Sequence, residues 1–432
     1  GHRAAYYMEA YLEGRKAPLP YKTPWRTRGV PVTQDPNWEK LPLEPQPFCG
    51  FREDNPFAEC EDTYVADAAN RQAARCLRCD TETGSSDSPR RTREHLHARA
   101  RTEPKNLERL RAIALERLKP RDNPFPDNRP AHIDDLVFLS AALTRLVIDP
   151  YREHCDTTTP IGDTLKLNQP FFFTGFDEAP EEVRNALALG LAEKNCGYIG
   201  FQPPGEIGKF PWLQLIVPGK NEPRADADGL IYVLGSNFTP VEARRLHDKQ
   251  LLGLSVAAPA LEEAVPWALD QQWDLLLLDG TSGIEKPWVE LEGFPDLTVM
   301  RDVIRILRHD LDREEDIALL YFGGLRSGTD VAKALAINCN AGIFNVAVAL
   351  GLGGIEEDGK MVFDGSMSID ERASAVRQWI KSAAEEAAII ARCTGKTYVH
   401  NLEPEDMRSM TIATSKAMDI PTASGTAVRE GF

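Results

Sequence analysis

Short apolar runs alternate with longer amphipathic stretches from about residue 167 onward. The apolar runs are bounded by Gly, Asp or Pro, a pattern typical of buried parallel strands. Repeated strand–helix units of this kind predict a parallel sheet, and eight of them favour a (β/α)8 TIM barrel over an open sheet. The eight predicted strands are 171–174, 196–201, 213–217, 229–234, 252–257, 274–278, 317–322 and 341–346.

Helices are predicted between several of these strands and after the last one. The stretches at 180–193 and 329–336 have acidic residues in their first turn, which favours a helix start. No helix is predicted between the strands at 213–217 and 229–234. The other predicted helices are 260–270, 297–309 and 368–393, and the last of these closes the barrel.

The part of the chain before the barrel has a different pattern. Apolar residues at helical spacing over 3–12, followed by Gly14, predict a helix that stops there. Residues 15–60 contain nine prolines, which predicts an extended strap. Further helices are predicted at 64–79, within 90–118 and around 134–146. We therefore divide the chain into a terminal helix of a preceding domain (1–14), a Pro-rich strap (15–89), a helical connector (90–165) and the barrel (166–432).

Composition and charge exclude several classes of function. No apolar run reaches the 18 residues of a membrane span. A net charge of -16 argues against a nucleic-acid surface, and the Arg-rich stretch 90–121 also contains Glu, as expected of a solvated helical hairpin. The eight cysteines follow no signal peptide, so a reducing, cytoplasmic location is predicted. The chain starts within a helix-like segment, which predicts a piece of a longer polypeptide.

Residues 317–336, with the sequence IALLYFGGLRSGTDVAKALA, carry the clearest chemical signal. A buried strand ends at Phe322, two glycines allow a tight turn, and a helix is predicted to start after Gly328. Free amides at a helix start bind phosphate, and Arg326 adds a charge-assisted contact. The alternative is an ordinary strand–helix turn, in which glycines are also useful.

The run GGLRSGTDV at 323–331 resembles the phosphate loop of the FMN-binding barrel of glutamate synthases. The resemblance covers roughly residues 167–350. Residues 170–190 are similar to the family's first strand and helix, whose strand end meets the flavin, and residues 274–283 resemble a later strand with a Gly-rich loop over the substrate face. The resemblance implies FMN as cofactor, with candidate binding residues Thr174, Gly175, Asp279, Gly280, Gly323, Gly324, Arg326, Ser327, Gly328 and Asn345.

Three departures from the family weaken any expectation of glutamate synthesis. The strand at 252–257 has Ser255 and Ala257 where the family has a lysine near the flavin. Asn345 stands where the family usually has a glycine at the phosphate. Residues 351–370 lack the family's three-cysteine iron–sulfur loop. Apart from these three departures, Gly1 is not the cysteine nucleophile of a glutaminase domain. The catalytic residues are therefore left unassigned.

The opening segment, GHRAAYYMEAYL, is similar to the final helix of the FAD domain in glutamate synthase small subunits. This resemblance implies that FAD and NAD(P)H bind a neighbouring domain or subunit. The glycines that hold a dinucleotide do not precede the segment, so it is interpreted as a domain boundary. The alternative is a generic surface helix.

Four cysteines in and after the strap form a candidate metal site: Cys49, Cys60, Cys76 and Cys79. The CLRC spacing of the last two places two thiolates within reach of one metal. Similar runs ligate iron–sulfur clusters in relatives of the glutamate synthase small subunit, which implies a [4Fe–4S] cluster. Zinc and unliganded thiols are the alternatives.

The sequence favours the barrel part of a glutamate-synthase-like flavin and iron–sulfur oxidoreductase, which transfers electrons from NAD(P)H within a complex of oxidoreductase subunits. The first alternative is a non-catalytic barrel without flavin that acts as a scaffold or docking module. A lyase or isomerase that acts on a phosphorylated metabolite would use the same glycine loop. That third possibility gives the cysteines and the opening helix no role.

Overall fold

The computed structural model describes residues 2–15, 42–50, 61–73, 130–139 and 153–423, apart from 206–207, 235–237, 282, 312 and 314–315. Most of the Pro-rich strap and the helices predicted within 90–118 lie outside these residues. The boundaries of the four proposed domains stay predictions. None of the described helices is both long enough and apolar enough to cross a bilayer.

The strands of the described chain are mostly short and apolar. In chain order they are β1 (Leu136–Phe138), β2 (Thr159–Ile161), β3 (Leu165–Leu167), β4 (Phe171–Thr174), β5 (Gly197–Gly200), β6 (Trp212–Ile216), β7 (Gly229–Val233), β8 (Leu251–Val256), β9 (Leu275–Asp279), β10 (Ala318–Phe322), β11 (Ala341–Phe344), β12 (Gly354–Glu357), β13 (Lys360–Phe363) and β14 (Met407–Ser409).

The helices confirm most of the predicted ones within a few residues. In chain order they are α1 (His2–Leu12), α2 (Ala66–Ala73), α3 (Glu181–Lys194), α4 (Leu261–Asp270), α5 (Thr298–Arg305), α6 (Gly328–Ala336), α7 (Val346–Gly351), α8 (Ile369–Cys393) and α9 (Ile412–Met418). A π-helical turn, Ile306–Leu311, continues α5. The α1 helix stops before Gly14, whose φ of +72° lies in the left-handed region that favours glycine. Of the helix predicted at 64–79, only Ala66–Ala73 falls within the described residues.

The strands from β4 to β11 form a closed barrel in which each strand runs parallel to the next and β11 pairs with β4. This closure confirms the predicted (β/α)8 fold. All eight strands are buried along their whole length. Strands covered on both faces need apolar residues at every position, which explains continuous runs such as the leucines of β9.

Two hairpins form separate two-stranded sheets beside the barrel. The antiparallel β2–β3 hairpin brings Ile161 and Leu167 into the apolar cluster of the barrel interior, together with Phe172 of β4. The β12–β13 hairpin follows α7, and its Phe363 packs against Trp288 with 6.0 Å between ring centroids. The long helix α8 then packs against α3 and α6.

The helix predicted around 134–146 is wrong over its described part. A 3-10 turn, Ile133–Asp135, is followed by β1, which pairs antiparallel with β14. The Asp135 carboxylate accepts hydrogen bonds from the hydroxyls of Thr411 and Thr414, at 3.1 and 2.7 Å. These partners lie far along the chain, and their contacts override the local helical pattern. Residues 140–146 lie outside the described residues.

Candidate functional site

Two loops meet at the C-terminal edge of the barrel, where β10 and β11 lie side by side. The first loop leads from β10 through Gly323 and Gly324 to α6, and the second leads from β11 directly into α7. Gly324 has a φ of +68°, and a Cβ at this position would lie 2.9 Å from Cγ of Pro295. Glycine is therefore required here both by conformation and by close packing.

The backbone amides of these two loops converge on the carboxylate of Glu290. The Gly324 N–H donates to Oε1 at 2.6 Å, and the Val346 N–H donates to Oε2 at 3.1 Å. We call this pair of N–H donors the amide cradle. Two donors from separate loops on one carboxylate make a site for an oxyanion.

Burial raises the pKa of Glu290 to about 7, and the nearby Asp279 carboxylate adds to this shift. The two hydrogen bonds of the amide cradle act in the opposite direction, because they favour the ionised form. Within the described part of the chain, Glu290 makes no ion pair. Its negative charge is therefore stabilised only by backbone dipoles.

We expect the free energy of unfolding of the wild-type chain, relative to Glu290→Gln, to fall by about 2 kcal/mol between about pH 5 and about pH 8. The folded chain holds the Glu290 proton up to a pKa of about 7, whereas the unfolded chain loses it near roughly 4.3. Between these values the folded state binds more protons, so stability is lost as the pH rises. Urea unfolding at both pH values measures this difference, and parallel pH profiles for the two proteins would contradict it.

The residues that follow the glycine turn do not join the amide cradle. Arg326 forms ion pairs with Asp134 and Asp330, which raise its pKa. Ser327 caps α6 by accepting a hydrogen bond from the Asp330 N–H. The amide of Gly328 donates to Oε2 of Glu386 on α8 at 2.8 Å. The start of α6 is thus capped from within the chain, and the predicted roles of Arg326, Ser327 and Gly328 at a phosphate stay predictions.

Thr174, Gly175 and Asn345 come together at the ends of β4 and β11. A Cβ on Gly175, whose φ is +84°, would lie 2.6 Å from Nδ2 of Asn345, so the asparagine packs directly on the glycine. Thr174 Oγ1 and Asn345 Oδ1 are buried and have no hydrogen-bond partner in the described part of the chain. Unsatisfied buried polar atoms are uncommon in native proteins and mark places where a ligand or water completes the site.

Asp279 and Gly280 shape the long loop that follows β9. The Asp279 carboxylate accepts hydrogen bonds from the Thr281 N–H, the Thr281 hydroxyl and the Ile284 N–H, at 2.8, 2.6 and 2.8 Å. A Cβ on Gly280 would lie 2.8 Å from the Asp296 carbonyl oxygen. Both residues therefore hold the loop in place, and their predicted contact with a cofactor stays a prediction.

The same loop brings to the candidate site two residues that the sequence did not single out. Trp288 has a φ of +54° and packs edge-on against Phe176, 5.3 Å between centroids, just beyond the end of β4. Glu290 follows on a 3-10 turn, Val289–Leu291. The sequence feature that could have indicated this loop is its length, residues 280–297, because connections of this length are usually functional.

A cavity of about 730 Å³ adjoins the amide cradle on the side of α7 and α8. Its volume lies within the range of small-molecule sites. Its wall is mainly apolar, and Glu290 and Arg326 contribute charged groups. The lining residues used below are His132, Glu290, Phe294, Arg326, Leu350 and Trp379.

Of the four cysteines in the candidate metal site, only Cys49 belongs to the described residues. Cys49 is exposed. Cys60, Cys76 and Cys79 lie outside the described residues. Within the described ranges, no group of three or more His, Cys, Asp or Glu side chains is arranged to hold a metal ion. The four-cysteine site therefore stays a prediction.

A phosphate group fits the donors of the amide cradle, because phosphate and carboxylate oxygens accept hydrogen bonds from the same kind of N–H groups. The carboxylate of Glu290 stands where such a phosphate oxygen would bind. The two glycines before Leu325 let the backbone approach closely. The residues present therefore fit an anionic group, provided that Glu290 leaves the cradle.

Comparison with known proteins supports the resemblance carried by the loop at 323–331. No protein-family model matches the sequence. A glutamate synthase large subunit-like protein from Rhizobium meliloti (strain 1021) is 23% identical over 387 residues, which cover 68% of this chain and 87% of the relative. This similarity confirms the predicted resemblance to glutamate synthase large subunits.

Structural comparison aligns parts of this chain with solved proteins at TM-scores below 0.5. A flavocytochrome b2 variant with sulfite bound has a TM-score of 0.48 and 14% identity over 69% of this chain and 84% of its own. A mandelate oxidase has a TM-score of 0.44 and 14% identity over 64% of this chain and 88% of its own.

Proposed function

We propose that this chain is the barrel of a glutamate-synthase-like flavin oxidoreductase, and that its amide cradle is the anchor for the phosphate of FMN. The observation that carries the proposal is the convergence of the Gly324 and Val346 amides on one carboxylate, since it places two N–H donors around one anionic group at the ends of β10 and β11. The similarity to a glutamate synthase large subunit-like protein supports it.

In this proposal, FMN supplies the electron-accepting ring and the chain supplies binding and orientation. The amides of Gly324 and Val346 would hold the phosphate. The unsatisfied oxygens of Thr174 and Asn345 would offer polar contacts beside β4 and β11. Electrons would come from NAD(P)H through FAD on a neighbouring domain or subunit, and the strap cysteines would hold the iron–sulfur cluster of that route.

Glu290 and a phosphate exclude one another at the amide cradle. Both are anions, and the cradle has one N–H donor for each Glu290 oxygen. Two negative charges at hydrogen-bond distance repel strongly in a partly buried site. Binding of FMN therefore requires the Glu290 side chain to leave the cradle.

Titration of the full chain with FMN and with riboflavin tests the proposal. We expect saturable one-to-one binding of FMN, detected by quenching of its fluorescence. Riboflavin, which lacks the phosphate, should bind at least about tenfold more weakly, because it cannot use the cradle. Equal affinity for the two flavins would show that the cradle does not bind the FMN phosphate. The absence of saturable FMN binding would show that the chain does not bind FMN.

The second candidate function is a non-catalytic scaffold or docking module in a larger oxidoreductase. It is favoured by the packing of Trp288 and Glu290 over the barrel end and by the absence of a lysine at Ser255 or Ala257. The scaffold predicts that FMN binds neither the wild-type chain nor a variant without the Glu290 carboxylate. Partner subunits and a cytoplasmic location are proposals under both candidates.

A further inference from the structure

The cavity beside the amide cradle has the size and lining of a small-molecule site. Phe294 is 75% exposed and Leu350 is 51% exposed at this cavity, although large apolar side chains are normally covered. Trp379 lines the same space, and its Nε1 is buried without an acceptor in the described part of the chain. An apolar body in the cavity would cover these three side chains.

Among the described charged groups around the cavity, one carboxylate has no partner of opposite charge. The Arg326 guanidinium faces Asp134 and Asp330, so its positive charge is already neutralised. Nδ1 of His132 accepts a hydrogen bond from the Asp134 N–H, which holds the His132 ring beside Asp134. Among the described residues, Glu290 forms hydrogen bonds only with the two amides of the cradle. The charge still to be balanced in the cavity is therefore negative.

We propose that this cavity binds a primary organic amine in its ammonium form, with the ammonium on the Glu290 carboxylate and the apolar body against Phe294, Leu350 and Trp379. Charge complementarity is the reason for an ammonium and not an anion: while Glu290 occupies the cradle, a second anion beside it is repelled. An ammonium also stabilises the ionised form of a carboxylate whose burial disfavours that form. The site does not depend on flavin.

Calorimetric titration of the full chain, without flavin, tests this inference with a matched pair of probes. The amine probe is 2-phenylethylamine and the neutral control is 2-phenylethanol, which has the same apolar body. At about pH 8 we expect the amine to bind about tenfold more tightly than the alcohol. At about pH 6 its affinity should fall by roughly tenfold, because most Glu290 is then protonated while the amine stays charged. Asp279, Arg326 and His132 are the other ionisable groups that face this position.

Two variants separate the charge from the apolar wall. Glu290→Gln should abolish the preference for the amine, whereas Glu292→Gln, the same change at an exposed position of the same loop, should keep it. Phe294→Ala should weaken both probes. Equal binding of amine and alcohol to the wild-type chain, no binding of the amine at millimolar concentration, or a preference that survives Glu290→Gln would each overturn the inference. None of these outcomes depends on whether FMN binds.

Discussion

We expect the replacement of Glu290 by alanine to raise the affinity of the chain for FMN by at least about tenfold. Under the proposed function, the FMN phosphate would compete in the wild-type chain with a carboxylate on the same chain, whose effective concentration at the cradle is in the millimolar range or above. The alanine variant leaves the Gly324 and Val346 amides without an acceptor, and a phosphate then satisfies both. Fluorescence titration at neutral pH measures the change, and inorganic phosphate should raise the melting temperature of the variant alone.

The matched control for this variant is Glu292→Ala. It removes the same charge from the same loop, and its side chain is exposed and outside the cradle. Its affinity for FMN should stay within about twofold of the wild-type value, since exposed charges contribute little. If Glu290→Ala binds FMN no better than the wild-type chain does, the cradle does not anchor a phosphate and the scaffold remains as the function.

Replacing Gly328 by alanine destabilises the chain by more than about 4 kcal/mol or prevents folding. A Cβ at Gly328 would lie 2.0 Å from the carbonyl oxygen of Ala383 on α8, and backbone cannot yield as a flexible side chain does. The clash would separate α6 from α8 and break the hydrogen bonds from Gly328 and Thr329 to Glu386. Urea unfolding, or soluble yield where the variant does not fold, measures the loss.

Gly365→Ala is the control for the glycine prediction. No atom lies within 4 Å of a Cβ built at Gly365, and its φ is not in the left-handed region. We expect its free energy of unfolding to change by less than about 0.5 kcal/mol. A Gly328→Ala variant as stable as Gly365→Ala would show that the α6–α8 contact is looser than described. The glycine of the GGLRSG run would then serve the phosphate loop and not helix packing.

The barrel was predictable from the sequence because its strands are buried on both faces. Continuous apolar runs such as the leucines of β9 are short, and glycine or aspartate marks their ends, which favours buried strands over helices. The short segment from Asp134 to Phe138 was not predictable, because its structure depends on β14 and on Thr411 and Thr414, almost three hundred residues away. Local pattern carries no information about such pairing.

The position of the candidate site could be predicted from the sequence, but the contacts within the site could not. The glycine loop after β10 indicated an anion site, and the amide of Gly324 does face a carboxylate. No local pattern indicated that Arg326 would pair with Asp134, or that Glu290 of a preceding loop would reach the cradle. Both contacts are set by tertiary packing of long side chains, which have many alternative partners in a chain with this many charged residues.

The titration of the Gly324 and Val346 amides tests the central claim most directly. Selective ¹⁵N labelling of glycine and valine lets NMR follow both amide resonances of the full chain as the pH is raised. The account predicts that the two resonances shift together with one midpoint near the Glu290 pKa of about 7, and that the shifts vanish in Glu290→Gln. Resonances that stay constant across this range, or that titrate unchanged in the variant, would contradict the claim that Glu290 occupies an amide cradle.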